Sequence, residues 1–205
     1  MHRLDIPVPA DGESPEVLLA SKLGSRAAAR RAVLALMEEL RLPAEAPRNV
    51  SAALALTRLG ADLDRIARSL KWDEFEQYCG MAISAAGYTV RRNVRLRKPT
   101  RQIDIIAESS SLVLSIDCKH WRRTEGEWGL AAPARAQVER TKLYARGSKP
   151  GKDRAYLPML LTMMDNRVRV VEGVPIVPLQ ALREFLATVS RFDEGLSFIM
   201  NAPGV

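Results

Sequence analysis

The sequence predicts an α/β protein, a sandwich built on a central mixed sheet and preceded by a small all-α domain. Three observations carry that expectation. Helical periodicity fills residues 15–70 with no strand-like segment between. After Lys71 the order becomes helix, three strands, helix, strand, strand, helix, which suits an α/β sandwich. Two apolar strands, 101–108 and 112–119, are joined through Glu108-Ser109-Ser110-Ser111, a polar hairpin turn.

Each element has its own signal. Pro7, Pro9 and Gly12 mark residues 1–14 as a flexible tail. Ser14-Pro15 reads as an N-cap followed by proline at the first helical position. Ser25 opens a helix to about Leu42, with Ala32, Leu36 and Leu40 on one face, and Pro43 and Pro47 end it. Asn49–Leu59 and Asp62–Leu70 form two short helices around Gly60. That pair is either a helix-turn-helix that docks on DNA or part of a small bundle. A helix over Trp72–Ala86 carries Phe75, Cys79, Ile83 and Ala86 on one stripe. Strands are expected at Tyr88–Arg97, Arg101–Glu108 and Leu112–Lys119, then a helix over Ala131–Arg146. Two apolar segments, Tyr156–Met163 and Arg167–Pro178, precede a helix over Leu179–Ser190. The domains so read are 15–70, helical, and 71–190, α/β, with 191–205 as a C-terminal tail.

Composition bounds the function. At 205 residues, 47% apolar and 27% charged, the chain is an ordinary globular protein able to build its own core. The net charge of +7 favours a polyanionic partner. Two cysteines, Cys79 and Cys118, make neither a disulfide framework nor a four-cysteine zinc site, and they suit the cytoplasm. Two histidines, His2 and His120, exclude an HExxH site. No apolar run reaches the length of a membrane helix and the start has no signal-peptide core, so no membrane partner is expected. Gly147-Ser148-Lys149-Pro150-Gly151-Lys152-Asp153 imitates a phosphate-binding loop. Its glycine spacing is one short and Asp153 stands where Ser or Thr would bind magnesium, so no ATP is expected.

The segment that carries chemistry is Leu112-Val113-Leu114-Ser115-Ile116-Asp117-Cys118-Lys119. An apolar strand ends here in a carboxylate and an ammonium two positions apart, so Asp117 and Lys119 share a face and Cys118 takes the other. The preceding strand holds Asp104 among isoleucines. With an even turn, Ala107 pairs with Leu112 and Asp104 with Ser115. Asp104 then joins the face of Asp117 and Lys119, whereas an odd turn sends it away. Two converging carboxylates repel unless a cation lies between them, and hard oxygen ligands suit Mg2+, with Mn2+ as a substitute. Such an ion activates water and polarises a phosphoryl oxygen, while a lysine beside it offsets charge on the phosphorane. The plainer alternative is a surface salt bridge between Asp117 and Lys119.

These residues resemble the restriction-endonuclease-like, or PD-(D/E)xK, nuclease superfamily, and look most like Holliday-junction resolvases and Mrr-type restriction endonucleases. The resemblance rests on three features: a helix with Glu76 eleven residues before Gly87, Asp104 on a hairpin, and Asp117 and Lys119 as D/E-x-K; it departs from the family pattern at Ile103, where proline is usual, and at Asp117, a shorter ligand than the usual glutamate. It implies a restriction-endonuclease-like sandwich and a Mg2+-dependent DNA endonuclease, often a homodimer, that leaves a 5′-phosphate. It implies Asp104, Asp117, Glu76 and the Cys118 backbone carbonyl as metal ligands and Lys119 as the residue that positions the nucleophile. Gln137, on the following helix, is implied as a supporting residue.

Basic residues surround this segment. Arg91, Arg92, Arg95, Arg97, Lys98 and Arg101 form the densest run, and alternation puts Arg91, Arg95 and Arg97 on one strand face. With His120, Arg122 and Arg123 they make a candidate track for phosphates. A second stretch runs through Arg140, Lys142, Arg146, Lys149, Lys152 and Arg154. The competing functions are a nucleic-acid-binding module without catalysis and a transcription regulator acting through the N-terminal helices.

Overall fold

The computed structural model describes residues 14–39, 47–97, 99–120, 127–148, 154–163 and 169–200. The chain divides into two compact units, Met1–Tyr78 and Cys79–Val205. The first holds helices α1 (Pro15–Lys22), α2 (Arg26–Glu39), α3 (Arg48–Arg58) and α4 (Leu63–Ser69) and the first half of α5 (Trp72–Ala85). Helix α3 is its centre: every residue from Val50 to Leu56 is buried, and α1, α2 and α4 all touch it. The small side chains of Ser51, Ala52, Ala53 and Ala55 let neighbours approach on several sides. Gly60, at φ +77°, ends α3, and the Asp62 carboxylate caps α4 by accepting from Asp64 N–H at 2.8 Å. The pair around Gly60 thus belongs to a small bundle. Among the described residues no helix is long and apolar enough to cross a membrane.

The sequence places the domain boundary at residue 70, but the units divide inside α5. Hydrogen bonds explain the difference. Asn49 Nδ2 donates to Glu74 Oε1 at 2.9 Å, and the Thr57 and Tyr78 hydroxyls lie 2.8 Å apart, so the first turns of α5 are bound to α3. Glu74 also accepts the Lys71 N–H at 2.9 Å, which makes it a capping residue.

The second unit is built on a seven-stranded sheet. Its elements are β1 (Thr89–Leu96), β2 (Arg101–Glu108), β3 (Leu112–Lys119), α6 (Glu127–Gly147), β4 (Ala155–Thr162), β5 (Arg169–Val171), β6 (Val174–Pro178), α7 (Leu182–Thr188) and β7 (Ile199–Met200). The order is β1-β2-β3-β4-β6-β5, with β7 also on β4. Strands β1, β2 and β3 are antiparallel neighbours, whereas β3–β4 and β4–β6 are parallel, so the sheet is mixed as predicted. Helix α6 is the crossover from β3 to β4. Its buried stripe is Leu130, Ala134, Gln137, Thr141 and Ala145, at helical spacing. Leu130 and Ala134 pack with Leu160, Val174 and Ile176, and Ala145 packs with Ile103, Ile106, Val113 and Tyr156.

Four details depart from the sequence reading. Helix α6 starts at Glu127, ahead of the expected Ala131, with Pro133 inside it. The last helix is shorter than expected, because residues Leu179–Ala181 form a 3-10 turn ahead of α7. The expected strand over 167–178 is a hairpin, because Glu172 and Gly173 adopt φ +51° and +76° and reverse the chain. The expected C-terminal tail returns Ile199 and Met200 to the sheet against Tyr156 and Ala155. These last two features meet at Gly173, whose carbonyl accepts the Ser197 N–H at 2.9 Å and whose missing Cβ would collide with the Ser197 side chain. Gly173→Ala combines left-handed backbone strain with that collision. It is expected to lower stability by about 1–3 kcal/mol in urea denaturation.

Candidate active site

The β2–β3 hairpin sets the geometry. Glu108 pairs with Val113, not Ala107 with Leu112, because the Ser109 N–H bonds the Leu112 carbonyl at 2.8 Å and closes a tighter turn. The turn length stays even, so the face assignment survives the slip. Continued one step beyond Ile105–Ile116, the ladder brings Asp104 opposite Asp117, where the sequence reading has Ser115. The Cys118 N–H donates to Asp104 Oδ2 at 2.8 Å and ties the two strands at this level. Both carboxylates are buried, Asp104 at 7% and Asp117 at 4% exposure. The Cys118 side chain is buried too, leaving the strand end to Asp117 and Lys119.

Charge decides how these carboxylates are held. Lys119 Nζ lies 2.7 Å from Asp117 Oδ2, and Arg140 Nη1 lies 3.4 Å from Oδ1. The lysine contact is off hydrogen-bond alignment, and Asp117 Oδ2 has no hydrogen-bond partner. With a carboxylate this deeply buried, a surface salt bridge is not the right description. Asp104 behaves differently: burial pushes its pKa up to about 6. The Cys118 N–H works against that rise, Asp117 adds to it, and Lys119 and Arg140 oppose it.

Gln137 locks the helix to the strand. Its Nε2 donates to the Ser115 carbonyl at 2.7 Å and to Ser115 Oγ at 3.0 Å, from a fully buried position in an otherwise small or apolar stripe. It therefore supports the strand two residues before Asp117. Gln137→Leu removes both bonds and strands the buried Ser115 acceptors. We expect a loss of about 1–3 kcal/mol in chemical denaturation, and Ser115→Ala should recover part of it. Thr162 pairs with Lys119 across β3–β4, and its buried Oγ1 has no hydrogen-bond partner.

Arg140 is the residue sequence reading missed. In the sequence it stands only as one member of a basic stretch. The available signal was position: it follows Gln137 by one turn, on the side of α6 that meets the strand ends. Glu76 lies buried on the half of α5 that belongs to the N-terminal unit. Among the described residues no three His, Cys, Asp or Glu side chains gather closely enough to hold an ion. Asp104 and Asp117 nevertheless suit a hard divalent ion, since Asp117 Oδ2 is a buried carboxylate oxygen that accepts no hydrogen bond and magnesium needs only one or two carboxylates beside its waters.

The described arginines of β1 do not all lie on one strand face. Asn93, at φ +53°, interrupts the β1–β2 ladder, and its partner position is Asp104. Arg91 touches Tyr144, yet Val94 and Leu96 pack in the same Tyr144-bearing cluster, which alternation forbids without a break at Asn93. Arg91, Arg95 and Arg97 therefore do not share a face. Arg91 instead donates to Glu108 Oε1 at 2.6 Å and lies 5.6 Å from the Tyr144 ring centroid. Arg154 donates to Glu108 Oε2 at 2.6 Å. Burial acts to raise the Glu108 pKa, but these two arginines outweigh it and hold it below the usual range. The Arg92 stem crosses α5 at Gly80, where an added Cβ would lie 2.9 Å from Arg92 Cδ. Arg95, Arg97 and Arg101 are exposed, and His120 is half-buried just beyond β3. Lys98, Arg122 and Arg123 lie outside the described residues.

A family model described as "Restriction endonuclease", the Mrr-type catalytic domain, matches residues 67–142. That span runs from α4 into α6 and contains Glu76, Asp104, Asp117, Lys119, Gln137 and Arg140. No curated protein and no solved structure matches the chain.

Proposed function

We propose, on the premise that residues 67–142 are a restriction-endonuclease-type nuclease domain, that this protein is a divalent-metal-dependent endonuclease that hydrolyses DNA phosphodiester bonds. The convergence of Asp104 and Asp117 across one hairpin, with Lys119 on Asp117, is the observation that carries this reading. Asp104 and Asp117 would hold the ion, Mg2+ or Mn2+, with the Cys118 carbonyl as a further ligand. When bound, the ion supplies a water of lowered pKa and a Lewis acid for the phosphoryl oxygen.

The chain's own groups do the rest. Lys119, at the mouth of the site, orients the attacking water and offsets negative charge that builds on the phosphorane. Gln137 keeps β3 at a fixed depth, so that Asp117 and Lys119 keep their spacing. Arg92, Arg95, Arg97, Lys98, Arg101, His120, Arg122 and Arg123 bind the DNA backbone, and Arg91 joins them only to the extent that Glu108 releases it. A homodimer would present two such sites, one for each strand.

The test is conversion of supercoiled plasmid with Mg2+, Mn2+ or EDTA, by wild type, Asp117→Ala and Lys119→Ala. Metal-dependent nicking that both variants lose is the expected result. Equal nicking by all three would reveal a contaminant. Binding of duplex, flap and junction DNA without any cutting would replace the enzyme with a binding module.

A further inference from the structure

We propose that Arg140 is a positioning residue that competes with the divalent ion for Asp117 and thereby sets how tightly the ion binds when no DNA is present. The inference rests on the nuclease reading above and assigns a role within that site.

The two oxygens of Asp117 each face a cation. Arg140 Nη1 is 3.4 Å from Oδ1 and Lys119 Nζ is 2.7 Å from Oδ2. Asp104 and Asp117 against Lys119 and Arg140 make the cluster formally neutral before any ion enters. A divalent ion turns it strongly positive inside a buried site, where like charges are poorly screened. The same buried carboxylate that recommends the site for a metal is thus already neutralised by the protein.

Arg140 is held for this purpose. It sits one turn after Gln137, whose amide fastens α6 to Ser115, so its guanidinium cannot drift far from Asp117. Its Nε is buried without a hydrogen-bond partner, and its contact with Asp117 is long. The fork therefore carries at least one unused donor beside the carboxylate. A phosphate oxygen of DNA matches that geometry better than the present single contact does. DNA arriving at the site would draw Arg140 from Asp117 and free Oδ1 for the ion. Ion and DNA binding are then coupled through one side chain, and the coupling is reciprocal.

The test is Mn2+ binding without DNA, by calorimetry or by loss of the free-ion EPR signal, alongside single-turnover plasmid cleavage at saturating Mn2+. Arg140→Gln is expected to bind Mn2+ at least five-fold more tightly than wild type and to cut at least ten-fold more slowly. Arg140→Lys, which keeps the charge on a different reach, is expected to lie between them in both readouts and guards against poor folding of the glutamine variant. A merely structural arginine would give weaker ion binding together with slower cutting. Unchanged or weaker Mn2+ affinity in Arg140→Gln overturns the role, as does absence of Mn2+ binding in both wild type and variant while wild type still cuts. If wild type neither cuts nor binds Mn2+ under any condition, it is the nuclease reading that fails; where Mn2+ does bind, its loss in Asp117→Asn shows that the binding belongs to this site.

Discussion

Asp117→Asn is expected to lower the single-turnover cleavage rate by on the order of 10³-fold and to destabilise the metal-free protein by about 2 kcal/mol. The rate effect follows from position: Asp117 is the proposed ligand beside Lys119, and an amide oxygen holds a divalent ion far less well than a carboxylate. The stability effect follows from its partners. Asn keeps the shape but leaves Lys119 and Arg140 facing each other over a neutral group. Removing one member of a buried ion pair costs about 3–5 kcal/mol. Here the cation side chains retain 25% and 20% exposure, so water recovers part of that loss. The two effects separate in the double variant Asp117→Asn with Lys119→Met. Its stability should recover toward wild type in urea denaturation, and its cleavage should not recover at all. Wild-type cleavage by Asp117→Asn would remove this carboxylate from the mechanism.

The hairpin at the centre of the site is legible in the sequence for a physical reason. Strands β2 and β3 are apolar runs bounded by polar turn residues, and the pattern predicts both to the residue at each end. Turn parity alone puts Asp104 on the same face as Asp117, and parity survives a slip in the pairing that the sequence does not exclude. Properties set by single backbone conformations were not legible. Asn93 breaks the alternation of β1 with one left-handed residue, which undoes a face assignment for three arginines. Glu172-Gly173 reverses the chain inside what reads as one apolar run. Arg140 was hidden for another reason. Its partner lies on a strand more than twenty positions earlier, and only the docking of α6, fixed by the buried Gln137, brings them together.

Raising the pH from 4 to 8 in EDTA is expected to cost the wild-type protein stability at one group while leaving Asp104→Asn without that loss. Asp104 titrates near 3.8 when unfolded and at about 6 in the folded protein, chiefly because burial disfavours its charge. Between those values the native state binds the extra proton. Its contribution to stability is therefore fully present below the unfolded pKa and is lost as pH rises through the folded one. The loss is on the order of 2 kcal/mol. Asparagine mimics the protonated acid and can still accept the Cys118 N–H, so the variant should match wild type near pH 4 and exceed it near pH 8. Function demands the opposite form. A proposed metal ligand must be ionised, so cleavage should fall about ten-fold per pH unit below the midpoint. Proton and ion compete for the same oxygens, so raising Mn2+ should move that midpoint to lower pH. Urea denaturation across pH in EDTA, set beside a pH–rate profile at two Mn2+ concentrations, checks both halves. A midpoint indifferent to Mn2+ would show that the titrating group is not the one that holds the ion. A stability difference between Asp104→Asn and wild type that stays constant from pH 4 to 8 would show that Asp104 keeps an ordinary pKa, and that burial is not what makes this carboxylate wait for a cation.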